Sequence, residues 1–183
     1  MPTLPTYPSG TAPAAGPVAR EEAETTPWVA NGIAAGVLGA SVVAAFFLVV
    51  DLLAGRPFWT PSVLAAALFR GELPAAGSTP EPVMVLAFTG LHVAVFVAFA
   101  LPAAFWALAH LPSSEGTGKA ALLAVALFAG FELVFMALAA TFASGLIDAL
   151  RAGRVTAANA LAAIAMAGFV FARAGRDGAP RSA

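Results

Sequence analysis

The chain has 183 residues, of which 60% are hydrophobic and 10% charged, with a formal net charge of −1 and no cysteine. Globular chains carry roughly a quarter charged residues, so polar groups cannot cover this surface and the remaining solvent for it is lipid. There is no basic excess to neutralise phosphates, which argues against nucleic-acid binding. The lack of thiols excludes disulfides, thiolate nucleophiles, iron–sulfur clusters and cysteine zinc sites.

Residues 1–27 contain Pro2, Pro5, Pro8, Pro13, Pro17 and Pro27, a density that predicts an extended, polyproline-like tail rather than helix or strand. Such a tail needs a partner surface to become ordered. It holds no apolar h-region, so no cleavable signal peptide is expected.

Span 1 is predicted over 28–53, longer than the roughly 20 apolar residues that cross a bilayer. Within it Gly32, Gly36, Ala40 and Ala44 recur every four residues and form a small-residue stripe for close helix packing, against span 2, span 4 or another chain. After it, AGRPFWTPSVLAAALFRGE (54–72) predicts a short helix over 61–70. Thr60 reads as its N-cap, Pro61 suits its first turn and Gly71 its stop. Its apolar core is too short to span. It reads as an interfacial helix turning Leu64, Ala65, Leu68 and Phe69 toward lipid or protein, or as one packed over the bundle end.

Span 2 is predicted over 83–108 with a kink at Pro102, span 3 over 120–146 and span 4 over 155–171. Residues 111–118 and 147–154 are polar connections, and 173–183 a polar, basic tail. The fold class is therefore all-α: an integral membrane four-helix bundle with a short interfacial helix between spans 1 and 2. Trp28 and Trp106 fall at one membrane face and Trp59 at the other, as aromatic belts require. Five Lys and Arg on the side of the termini against four opposite place both termini in the cytoplasm.

Ionisable groups deep in a bilayer are costly and are the first functional candidates. Two qualify, His92 in span 2 and Glu132 in span 3, whereas Asp51 and Asp148 lie near span ends, within reach of headgroups. A short loop joins spans 2 and 3, which predicts antiparallel neighbours with His92 and Glu132 about 6 Å apart in depth. The two then form an intramembrane polar pair, read as an interhelical clamp in preference to a proton relay. Thr89, Thr141 and Ser144 are alternative partners, and Asn159 is a packing hydrogen bond in span 4.

His92 is also a possible pigment ligand. A bis-histidine haem is excluded within this chain, because His110 lies about 27 Å along the same helix. Phe88, Phe96 and Phe99 with Phe128, Phe131, Phe135 and Phe142 are read as packing, or else as a groove for a carotenoid, quinone or lipid tail. No phosphate-binding loop, dinucleotide fingerprint, zinc-protease or nucleophile-elbow motif occurs, so no catalytic residue, no metal site and no intrinsic cofactor is expected, and the chain is not read as an enzyme.

DLLAGRPFWTPSVLAAALFRG after span 1, GLHVAVF in span 2, FAGFELVF in span 3 and NALAAIAM in span 4 resemble a family of small four-span bacterial inner-membrane proteins to which no activity is attached. The resemblance covers most of the chain outside the tails. It implies a four-helix membrane fold and brings no site residue.

The leading expectation is a non-catalytic accessory subunit that packs within a larger membrane complex of the energy-converting kind, photosynthetic (reaction centre–light harvesting) or respiratory. Its partners would be other membrane subunits and lipids. The alternatives are a small proton-coupled transporter using His92 and Glu132, and a subunit contacting lipid, carotenoid, quinone or bacteriochlorophyll.

Overall fold

A computed structural model describes residues 27–75, 77–110, 116–142 and 145–177. Most of the proline-rich tail, the centre of the span 2–3 connection, Ser144 and the last residues of the C-terminal tail lie outside the described residues. Within them the chain is helical: α1 (Pro27–Leu53), α2 (Trp59–Arg70), α3 (Pro82–His110), α4 (Gly116–Phe142), α5 (Leu146–Leu150) and α6 (Ala152–Asp177). Four of these, α1, α3, α4 and α6, are long and apolar enough to cross a membrane, and the protein is a multi-pass membrane protein.

The distribution of side-chain size bears this out. The buried core is rich in small residues, among them Ala35, Ala100, Ala104, Ala158 and Ala162, while Leu53, Val83, Leu86, Leu133 and Ile164 point outward at 63–85% exposure. Water would reward the reverse arrangement. In lipid, outward Leu and Val cost nothing and small residues allow the close van der Waals packing that holds the helices together.

The helices lie in the order α3–α1–α6–α4, with α1 packed on α3 and α6, and α6 packed on α4. The chain-adjacent pair α3 and α4 barely touch. This corrects the expectation that a short loop makes spans 2 and 3 packed neighbours: α6 carries a broad face of Ala158, Ala162, Ala163 and Ala167, and both α1 and α4 dock on it instead.

The small-residue stripe finds its partner in α3. A Cβ on Gly32 would sit 3.0 Å from Leu101 Cα, and one on Gly36 would sit 2.5 Å from Val97 Cα. Ala40 continues the contact at 2% exposure, but Ala44 is exposed. Each four-residue step on a 3.6-residue helix advances about 40°, so by Ala44 the stripe has turned away from α3. At the N-terminal end of α1 an edge contact between Trp28 and Phe105, 5.6 Å between centroids, closes the same seam.

α2 starts two residues before the predicted boundary and is capped differently. Phe58, not Thr60, is the N-cap; it sits at φ 63° and offers no side-chain cap. The carboxylate of Asp51 supplies the cap from nine residues upstream, accepting from Thr60 N at 2.7 Å and from Thr60 Oγ1 at 2.9 Å. Asp51 is 3% exposed, so it does not reach the headgroups. A carboxylate at a helix N-terminus meets both orphan N–H donors and the positive end of the dipole, which is why it turns inward. Gly71 ends the helix at φ 70°, its N–H on Ala67 O, as the sequence predicts. Ala65 is fully buried while Phe69 is 46% exposed, and α2 packs chiefly on α3, with contacts to α1, α4 and α5. It is the helix over the bundle end.

Arg70 at its C-terminus pairs with Glu81 at 2.6 Å. The Glu81 carboxylate raises the guanidinium pKa above its already high usual value, so the guanidinium stays charged at any working pH. Both side chains are about half exposed (44% and 58%), and water competes for them. Arg70→Ala is expected to leave the thermal unfolding midpoint unchanged within error.

Span 3 ends at Phe142, four residues before the predicted boundary, and the connection after it is helical. Gly145 at φ 86° starts α5, and Arg151 at φ 56° separates it from α6. Leu146 and Leu150, one turn apart, are both buried, which is what holds this short helix in place. α6 then runs past the predicted end of span 4, to Asp177. α3 continues through Pro102 as one helix.

Candidate functional site

α3 and α4 meet around one level. Phe96 lies 4.5 Å from Phe131 and Phe99 lies 5.3 Å from Phe131 between centroids, and Phe99 covers Gly130, where a Cβ would sit 2.5 Å from its Cε1. Toward the α2 end the two helices stay apart, and a cavity of about 410 Å³ opens between them. Its floor is buried and includes Val43 and Phe47 of α1, Phe135 of α4 and Asn159 of α6, while Leu64 and Leu68 of α2 close its end. Its rim residues Leu91, Val134, Ala137, Thr141 and Phe142 are exposed. In a bilayer that rim faces lipid, so the cavity is a lateral cleft. Its size falls within the usual 300–1,000 Å³ of small-molecule sites.

His92 stands in the wall of this cleft. It lies ten residues into α3, about 15 Å below the α2 end of the bundle. Its ring stacks on Phe88 at 5.6 Å and 29° and contacts Phe96 at 4.7 Å, so three consecutive turns of α3 present three rings. Its imidazole faces the backbone of Ala40 on α1. Its Nε2 is buried without a partner, the one such side-chain nitrogen or oxygen among the described residues.

Glu132 is also ten residues from the same end, counted back from Phe142, but it does not join His92. Its Oε1 accepts from Asn159 Nδ2 at 2.9 Å and its Oε2 from Thr156 Oγ1 at 3.2 Å. The predicted His92–Glu132 pair is therefore two separate connections, α3 to α1 through Ala40 and α4 to α6 through Asn159 and Thr156. The depth matches, but α4 turns its carboxylate to α6. Thr89 is turned to its own helix, donating to Val85 O at 2.7 Å, and Thr141 lies on the cleft rim.

Asn159 is the packing hydrogen bond the sequence predicts, with Glu132 as its partner, and at 7% exposure it is buried. Thr156, three residues earlier on the same face, is the member sequence reasoning missed. Glu132→Ala leaves both donors without their acceptor, and a loss of about 1–2 kcal/mol is expected in detergent unfolding. Glu132→Gln keeps an acceptor oxygen for Asn159 and is expected to lose about half as much.

Comparison of the chain with protein-family models, curated proteins and solved structures finds no match. The fold and the cleft define it as a four-span helical membrane protein with a lateral, histidine-walled cavity.

Proposed function

We propose that this protein is a non-catalytic accessory subunit of a bacterial inner-membrane complex, with both termini in the cytoplasm, whose task at the α3–α4 cleft is to hold an apolar ligand drawn from the bilayer. The observation that carries this reading is the cleft itself: a buried apolar floor, an exposed apolar rim and an end closed by Leu64 and Leu68 of α2. The proton-relay reading loses its support, since the two groups it needs are turned to different helices.

A tetrapyrrole on His92 is a poor fit. Phe88 and Phe96 pack their rings against the imidazole, and Nε2 is buried rather than open to an axial bond.

The test is to purify the protein from its membrane in mild detergent and identify the organic extract by mass spectrometry, beside a cleft-filled variant, Ala137→Trp. One amphiphile at about one per chain in the wild type, lost in the variant, is the expected result. Identical bulk-lipid extracts from both would overturn the ligand-holding reading, and a native preparation that yields this chain alone would count against the subunit.

A further inference from the structure

The shape of the cleft and the one free hydroxyl on its rim narrow the ligand, an inference that rests on the ligand-holding reading. Along α4 the cleft runs from Phe131 to Phe142, about 16 Å at 1.5 Å per residue. That is close to half of the roughly 30 Å hydrocarbon thickness of a bilayer, the depth of one leaflet. The volume of about 410 Å³ corresponds to roughly fourteen groups the size of a water, at ~30 Å³ each. A methylene is close to a water in size, so one file of chain carbons fills the slot from end to end.

The wall selects against charge. Among the described residues no Asp, Glu, Lys or Arg lines the cleft, and a carboxylate or phosphate drawn into it would be desolvated without a counter-ion. Asn159 gives its amide to Glu132, and His92 Nε2 is sealed inside the protein. Thr141 differs. Ser41, Ser62 and Thr89 each donate to the carbonyl four residues back, which satisfies a helix hydroxyl in lipid. Thr141 makes no such bond to any described residue, and it stands exposed on the rim, one residue before the end of α4. It is therefore a free donor at the α2 end of the slot, the level at which a lipid chain meets its ester carbonyl.

The same end is roofed. Leu64 and Leu68 of α2 lie over the slot, and a Cβ on Gly71 would sit 3.6 Å from Phe142 O, so the C-terminus of α2 rests on the end of α4. A head group cannot rise straight above its chain. It has to leave sideways, past Thr141, which favours a small one on a single chain over a phosphodiester carrying two.

We infer that the α3–α4 cleft takes the acyl chain of an uncharged monoacyl ester from the leaflet on the α2 side. Its methyl end lies by Phe96 and Phe131, and its ester carbonyl accepts from Thr141 Oγ1.

The experiment uses the purified full chain in mild detergent and two photoreactive forms of methyl palmitate, one with a diazirine at the methyl end of the chain and one beside the carbonyl. The first is expected to label the segment around Phe131 and the second the segment around Thr141. Unlabelled methyl palmitate is expected to displace both about fivefold more effectively than hexadecane, the size of one hydrogen bond, and more effectively than dipalmitoyl phosphatidylcholine. Thr141→Val is expected to make methyl palmitate and hexadecane equal competitors. The wild-type labelling and competition need no variant to fold. Labels in the reverse order, or at the same places from both probes, overturn the assignment. Hexadecane competing as well as the ester in the wild type shows the hydroxyl unused and overturns it; phosphatidylcholine competing equally overturns the single chain. If neither probe labels the cleft while the native extract still yields a different amphiphile that Ala137→Trp loses, the ligand class falls and the ligand-holding reading stands. If neither probe labels it and the extract is bulk lipid alone, both fall.

Discussion

Gly36→Leu is expected to prevent α1 from seating on α3 and to leave little folded protein. The reason is backbone proximity. A Cβ at Gly36 would lie 2.5 Å from Val97 Cα and 2.7 Å from Val97 N, atoms that no rotamer change can move. The helices would have to separate, and with them the contacts at Gly32 and Ala40 and the placement of His92, whose imidazole faces the Ala40 backbone on α1. Overpacking against mobile side chains costs about 1–3 kcal/mol; against a backbone, loss beyond about 3 kcal/mol is expected. The measurement is monodisperse yield by size exclusion together with resistance to denaturing detergent. Gly90→Leu is the control: the same substitution in α3, where nothing lies within 4 Å of the added atom, is expected to behave as wild type. Equal behaviour of the two variants would contradict the α1–α3 seam.

Asp51→Ala is the second large effect, expected to cost about 2–3 kcal/mol. It removes the side-chain acceptor that caps the N-terminus of α2, since Phe58 offers none. Thr60 N and Oγ1 are then buried donors without partners, in a residue 5% exposed. Asp51→Asn retains one acceptor oxygen and is expected to lose about half as much. Removing the Thr60 hydroxyl in the Asp51→Ala background, as Thr60→Val, is expected to add less than it does alone, because the two share one interaction. α2 carries Leu64 and Leu68 at the end of the cleft, so this variant is also expected to weaken retention of the cleft's ligand. Unfolding midpoints and ligand content of the same preparations check both points.

The four spans are legible in the sequence because each is an unbroken apolar run longer than a bilayer needs, and their predicted starts and ends fall near those of α1 and α3. The order in which they pack is not legible. Hydrophobic periodicity marks a core face in water, but in lipid both faces are apolar, and what distinguishes them is size. α6 shows this: its packing face is alanine, read from the sequence only as helix. The glycines of α1 mark a close-packing seam in the sequence, but that α3 is what meets it comes only from the structure. Gly39, seven residues after Gly32, was available as a further signal; a Cβ there would run into Met166 of α6 and Phe96 of α3, so α1 meets both neighbours at that level.

The site was half legible. The bilayer's cost for ionisable groups singles out His92 and Glu132, and counting 1.5 Å per residue gives them similar depth. What counting cannot give is rotation about the helix axis, and that assigns Glu132 to α6 and His92 to α1. Thr156 and Asn159, three apart on one face, were the available sign of an acceptor on a facing helix. The long-range cap from Asp51 to Thr60 leaves no sequence signature, because nine residues containing the turn at Gly55 and the left-handed Phe58 separate donor from acceptor.

The most direct measurement of cleft occupancy is photocrosslinking in the native membrane, with a photoreactive residue placed at Ala137 on the cleft rim or at Val125, 62% exposed on the same helix and away from the cleft. Mass analysis is expected to show one dominant small-molecule adduct at Ala137 and a spread of bulk phospholipid adducts at Val125. The same spread of phospholipids at both positions would contradict a ligand-holding cleft.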